Sequence, residues 1–198
     1  MEPYFLVCYT IIKRGIPREV EEMLTKNVLS YIAGFLDGDG CIMLQLIRRH
    51  DYVLGYQIRA SVVFYQDTRY RNFLEWLKEE LSYGYVRNRN DGISEYTIVG
   101  LKPARKVIQK LLPYLKLKSP QAKLAIKVIN EALKEKKLTP VKLIFLARKV
   151  DYFAKLNYSK KRTNTSQVVE KFLKSKNISF DPVSTDSRFD RDEIAQKM

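Results

Sequence analysis

Leu29-Ser30-Tyr31-Ile32-Ala33-Gly34-Phe35-Leu36-Asp37-Gly38-Asp39-Gly40 is the stretch on which the reading of this chain turns. Read as a helix, it sets Ser30, Gly34 and Gly38 four residues apart, so one stripe is nearly bare while Ile32 and Leu36 belong to an apolar face. Glycine inside a helix costs about 0.5 to 1 kcal/mol relative to alanine. Two at this spacing point to close approach by another helix and not to helix propensity. Asp39 then falls at the carboxyl end, where the helix dipole is already negative. A carboxylate there asks for a metal or a lysine beside it. Asp37-Gly38-Asp39-Gly40 also opens like an EF-hand calcium loop, but Cys41 stands where the fifth-position ligand belongs and Ile42 where the glycine belongs.

The 198 residues fit one domain with room for a terminal extension. With 36 Lys and Arg against 22 Asp and Glu the net charge is +14, which favours a polyanionic partner, nucleic acid ahead of an anionic membrane. No apolar run approaches the roughly 20 residues needed to cross a bilayer, and the opening residues lack the basic region of a secretory signal. The expectation is an intracellular protein without a membrane partner, in a prokaryotic cytoplasm or nucleoid or in an organelle. Two cysteines, Cys8 and Cys41, and the lone His50 make no ordinary zinc site. Phosphate-loop and GxSxG motifs are absent, which leaves the chemistry to carboxylates, lysines and amides.

Beyond Gly40 the sequence alternates. Ile42, Leu44 and Leu46 oppose Met43, Gln45, Ile47 and Arg49, and Tyr56, Ile58, Ala60, Val62 and Phe64 oppose Gln57, Arg59, Ser61, Val63 and Tyr65. Asp67-Thr68 reads as a cap for a helix with the stripe Phe73, Leu74, Leu77 and Leu81. A second strand pair follows, Tyr85 to Arg89 and Ser94 to Val99, turning at Asp91-Gly92. From Pro103 the period becomes helical, with Ala104, Val107, Ile108, Leu111 and Leu115 on one helix. Ser119-Pro120 and Thr139-Pro140 each read as a cap followed by proline, opening helices of about 17 residues. A polar run, Asn157 to Thr165, leads to a short helix with Val168, Val169, Phe172 and Leu173. Three segments result: an extension over 1–27 whose role is not legible, a domain over 28–176, and an acidic tail over 177–198.

This order describes an α+β protein whose helices cover one face of an antiparallel sheet. The other face carries Met43, Gln45, Ile47, Arg49, Gln57, Arg59, Ser61, Val63, Arg87, Arg89, Glu95 and Thr97. Antiparallel sheets commonly leave such a face to solvent. Four arginines there, with glutamines, also suit base edges in a major groove wide enough for a β-ribbon.

The residues Ile32 to Gly40 resemble the signature of the LAGLIDADG homing endonucleases, and the similarity extends from about Leu29 to Leu173. Gly84 to Arg87, Pro113 to Lys118 and Asn157 to Ser166 look closest to the single-motif enzymes encoded in introns of ribosomal RNA genes. The resemblance implies an αββαββα fold, its four-stranded antiparallel sheet binding DNA, with additional C-terminal helices. It implies a homodimer on a long pseudo-palindromic duplex, the signature helices meeting through Ser30, Ala33, Gly34, Asp37 and Gly38. Intron homing by Mg²⁺-dependent cutting of both strands across the minor groove, leaving 3′ overhangs, is the implied activity. Mn²⁺ and Ca²⁺ are ions able to take the same sites. Carried over by residue, Asp39 and the Gly38 carbonyl are the metal ligands, Gln66 holds the water around the nucleophile, and Lys118 is the active-site lysine. Lys160, Lys161 and Arg162 match a loop that grips DNA phosphates. Where related enzymes carry a further active-site arginine this chain has Tyr70, between Arg69 and Arg71. A non-cleaving RNA-binding splicing factor (maturase) and a DNA-binding regulator on the same fold are the rival readings, and Asp39 is the residue that neither of them needs.

Overall fold

In the computed structural model, which describes residues 18–134, 136–157 and 162–178, the signature lies on α1, Arg18–Asp39. Glu19 and Glu21 in its first turn complement the positive end of the helix. The helical pattern expected at Glu19 to Leu24 and the signature helix are thus one continuous element, and the boundary drawn at residue 27 falls inside it. Residues 1–17 and the tail beyond 178 lie outside the described residues.

Without an intervening loop α1 passes into β1, Gly40–Arg48. A Cβ on Gly40 would stand 2.9 Å from both Leu36 Cα and Leu36 O, so this abrupt join needs glycine. There follow β2, Tyr56–Asp67, a 3₁₀ turn at Thr68–Tyr70, and α2, Arg71–Leu81. Asp67 caps this 3₁₀ turn, its side chain accepting from the Arg69 N–H, and not the helix itself, which starts from Tyr70 with no side-chain cap. Next come β3, Tyr85–Asn88, β4, Ile93–Val99, and α3, Leu101–Leu111. α4 spans Ser119–Leu133, α5 Pro140–Leu156 and α6 Ser166–Ser175.

Strand order is β1-β2-β4-β3, antiparallel throughout. Alternation reads correctly: Ile42, Leu44, Ile58, Val62, Phe64, Tyr96 and Ile98 are buried under the helices, beside Ile32 and Leu36 of α1. The ends differ from expectation. Arg49 and Arg89 stand past their strands, because the chain is already turning toward Gly55 and Ile93. Leu115 is extended and not helical, since Pro113 interrupts the backbone ladder and a 3₁₀ turn at Leu112–Tyr114 closes the helix. Ser119 is already helical, with Lys118 at the cap position, whereas Thr139 and Thr165 do cap α5 and α6. On α6 Val169 and Leu173 are buried but Val168 is exposed.

β1 is an edge strand, and the segment before α6 covers that edge with side chains. Asn157 Nδ2 donates to the Ile42 carbonyl at 2.7 Å, Arg162 Nη2 to the Leu44 carbonyl, and Asn164 Nδ2 to the Leu46 carbonyl at 2.9 Å. The three acceptors are alternate residues, the ones whose carbonyls face outward on a strand paired on one side only. An open edge that would template pairing with another chain is thereby satisfied.

Candidate active site and nucleic-acid interface

Asp39 is exposed at the carboxyl end of α1, and Gly34 and Gly38 are exposed beside it. A Cβ on either glycine would meet nothing within 4 Å, so the bare stripe is open space. Ser30 is exposed one turn before Gly34, its hydroxyl bonded to the Lys26 carbonyl. Ala33 differs. It is fully buried in this chain's own core, one position round the helix from Gly34, and offers no surface to a second helix. Asp37 is likewise engaged at home: its carboxylate accepts the backbone N–H groups of Lys116 at 2.7 Å, Leu117 at 3.1 Å and Lys118 at 2.9 Å.

That clasp draws the connection between α3 and α4 against the end of α1. Lys118 donates its ammonium to the Asp37 carbonyl, so a cation sits at the negative end of the helix dipole. A lysine is thus brought to this helix end from 81 residues further along the chain, where its ammonium meets the Asp37 carbonyl. The ammonium is close enough to Cys41 to lower its thiol pKa, although burial wins and leaves that pKa raised. Gln66 stands two residues past the last β1–β2 pair, Gly40 with Phe64, at the strand end that adjoins α1. Its Oε1 accepts the Asp67 N–H at 2.8 Å. Asp39, Lys118 and Gln66 thus come from three elements to one end of the sheet.

Among the described residues no group of three or more His, Cys, Asp and Glu could hold a metal. Asp39 and the Gly38 carbonyl offer hard oxygen donors of the kind Mg²⁺ takes together with water, so they fit such an ion as a partial site that other oxygens must complete. Tyr70 is exposed, with the Arg69 guanidinium 5.9 Å over its ring. Neither neighbouring arginine is unpaired: Arg69 chelates Asp67, and Arg71 bonds Glu75 at 2.7 Å and Asn88.

The open sheet face is more neutral than its arginines suggest. Arg87 pairs with Glu95 at 2.6 Å, Arg89 with Asp91 at 2.7 Å and Arg49 with Asp51 at 2.7 Å, while Arg59 bonds the Gln45 amide oxygen at 2.9 Å. Asp51 and Asp91 lie in the turns, where strand alternation says nothing about them. Met43, Gln45, Ile47 and Gln57 are half-buried and Arg59, Arg87 and Arg89 exposed. Ser61, Val63, Glu95 and Thr97, by contrast, are buried. They occupy the two central strands, where longer side chains on both flanks shade them, so they form the floor of this face and not its reading tips. Tyr65 and Tyr85 point to the same side and were not singled out from sequence, though the alternation that places Arg59 and Arg87 also places them.

Arg162 does not project toward a ligand. Besides Leu44 its guanidinium donates to the Val150 carbonyl at 2.7 Å and lies 3.8 Å from Asp151, and burial pushes its pKa down. A planar fork of five donors satisfies carbonyls of both α5 and β1, a use that a charge run in sequence does not reveal. Lys160 and Lys161 lie outside the described residues.

A family model for LAGLIDADG endonucleases matches residues 32–132. DNA endonuclease I-CvuI of Chlorella vulgaris is 40% identical over 145 residues, 73% of this chain and 89% of that protein. DNA endonuclease I-CreI of Chlamydomonas reinhardtii is 39% identical over 150 residues, covering 76% and 91%. A crystal structure of the homing endonuclease I-CvuI with the I-CreI target and Mg, its DNA uncleaved, superposes with a TM-score of 0.74 at 37% identity, over 79% of this chain and 98% of the other. An archaeal intron-encoded homing endonuclease, I-Vdi141I, shares the fold at 18% identity with a TM-score of 0.69, over 78% and 99%.

Proposed function

Because this chain belongs to the LAGLIDADG endonuclease family, we propose that it is a site-specific DNA endonuclease that cuts both strands of an intron-homing site. What supports the reading is that Lys118 is held at the end of α1 that carries Asp39, with Gln66 on the strand end adjoining that helix and two glycines with open space in front of them.

One exposed carboxylate is too little for phosphodiester hydrolysis. Two copies packed through Gly34 and Gly38 bring two Asp39 carboxylates to one dyad, where each faces one scissile phosphate across the minor groove. Asp39 and the Gly38 carbonyl would hold a divalent ion there, and the ion would offset the negative charge that develops during phosphodiester hydrolysis. Lys118, tethered to the Asp37 carbonyl, keeps a positive charge near the phosphate as it gains negative charge. Gln66 orients water at the strand end. Paired cuts across the groove leave 3′ overhangs.

On the sheet and its ends, the exposed Arg49, Arg59, Arg87 and Arg89, with the half-buried Gln45 and Gln57, are the long polar groups that would reach base edges. Purified protein incubated with intronless ribosomal RNA gene DNA should cut at one site, only with divalent metal. Asp39→Asn should keep target affinity and lower the cleavage rate about a thousandfold, the scale of several kcal/mol of metal stabilisation. Full cleavage by that variant, or none by the wild type on any such DNA, would overturn the assignment.

A further inference from the structure

The positive charge of this protein does not sit on its sheet. Residues 40–100 hold seven Arg and one Lys against seven Asp and Glu, whereas residues 101–156 hold 13 Lys and two Arg against three Asp and Glu. The helical segment therefore carries +12 of the net +14. On α4, Ala122, Ala125, Ile129 and Ala132 are buried toward the sheet and its neighbouring helices, while Lys123, Lys127 and Lys134 are exposed. At 3.6 residues per turn these three lysines fall within about 40° of one another, opposite the packed side. From α5, Lys142 joins them: it and Lys134 share the carboxylate of Glu131 at 2.6 and 2.7 Å. Lys149 lies close enough that the charges of Lys127, Lys134 and Lys142, after burial, push its ammonium pKa down.

We propose that the α4–α5 face is a second, sequence-independent binding surface for duplex DNA, on the side of the protein away from the sheet. The division between arginine and lysine argues for it. A guanidinium fork suits base edges, whereas ammonium groups on flexible stems suit phosphates of any sequence. Crowding lysines around one glutamate is repulsive until phosphates of a polyanion neutralise them, releasing the polyanion's condensed cations to solvent. Among the described residues, no large exposed hydrophobic side chain lies on α4 or α5. The face thus lacks the stacking platform of a single-strand binder and the apolar side of a membrane-surface helix. A duplex held here while the sheet is occupied allows one protein to bridge two DNA segments and to pass directly between them.

The test attaches one random-sequence duplex to beads in EDTA, adds the full-length protein, and measures recruitment of a second, fluorescent random-sequence duplex. Wild type should recruit it in a strongly salt-dependent way. Lys123→Gln/Lys127→Gln/Lys134→Gln should bind the first duplex and lose recruitment about tenfold or more. Lys123→Gln/Lys127→Gln, which leaves the Glu131 pair intact, should show an intermediate loss with an unchanged melting temperature. No recruitment by wild type, undiminished recruitment by the triple variant, or stronger recruitment of double-stranded RNA or of anionic vesicles than of DNA would overturn the proposal.

Discussion

Asp37 and Lys118, 81 residues apart, are joined at both ends: the Asp37 carboxylate accepts the Lys118 backbone N–H, and the Lys118 ammonium donates to the Asp37 carbonyl. An Asn at 37 has one acceptor oxygen for three N–H groups and turns its own amide N–H toward the rest. Asp37→Asn should therefore cost about 1 to 3 kcal/mol and slow cleavage through a misplaced Lys118, with target affinity kept. Urea unfolding and single-turnover cleavage measure the two effects. Unchanged values in both would show that the clasp does not position the lysine.

Gly34 tests the helix pairing. The space in front of it is empty within one chain, so Gly34→Leu should fold with an unchanged circular dichroism spectrum. Between two copies the added side chain overpacks the contact at about 1 to 3 kcal/mol, weakening self-association about tenfold or more. Sedimentation across a dilution series reads this, and an undisturbed dimer would remove the glycine face from the interface.

Glu95 is buried and holds Arg87 at 2.6 Å, with Thr97 donating to the same oxygen at 3.3 Å. Glu95→Gln removes the charge that restrains this arginine. Affinity for random-sequence duplex should rise, its salt slope should steepen by about one, and discrimination in favour of the target should fall. An unaltered slope would mean that Arg87 stays off the DNA.

Arg162 should behave as a structural residue. Arg162→Lys cannot reach the carbonyls of Val150 and Leu44 together, and the loss of one buried donor pairing costs about 1 to 3 kcal/mol. The urea midpoint should drop, with no change in the salt dependence of DNA binding. A lowered salt slope with unaltered stability would make it a phosphate contact after all.

Lys134 and Lys142 hold the Glu131 carboxyl well below its ordinary 4.5, at about 2. Its folded-state pKa is depressed, so the stability it adds is complete above pH 4.5 and is lost as pH falls toward 2. The carboxylate is partly exposed and its ion pairs screened, so the gain is below about 1 kcal/mol. Wild type and Glu131→Gln should differ in melting temperature at neutral pH and converge on acidification through that window. Parallel curves would rule the pairing out as a source of stability.

Much of this protein was legible before folding. The four-residue spacing of Ser30, Gly34 and Gly38, the alternation about Ile42 and Phe64, and the prolines in the first turns of α3, α4 and α5 are local patterns, and local patterns express backbone periodicity directly. Ends were less legible, as at Leu115 and Ser119, because Pro113 and a tight turn compete with helix continuation over one or two residues. Local caps such as Thr139 were legible, but polar partnerships between distant segments were not. Arg162 in a basic run has the composition of a phosphate grip, yet it serves Leu44, 118 residues earlier.

The sequence by itself determined the elements, their order and the presence of one acid at a helix end. Only the tertiary structure decided that Lys118 supplies the cation there, that Ala33 faces inward, that Ser61 and Val63 lie at the bottom of the sheet face, and that Asn157, Arg162 and Asn164 close the β1 edge. The reason is the range of the forces involved. Periodicity is set by neighbours within one or two turns, whereas a hydrogen-bonding group takes whichever unsatisfied partner the packing of distant segments brings within 3 Å or so.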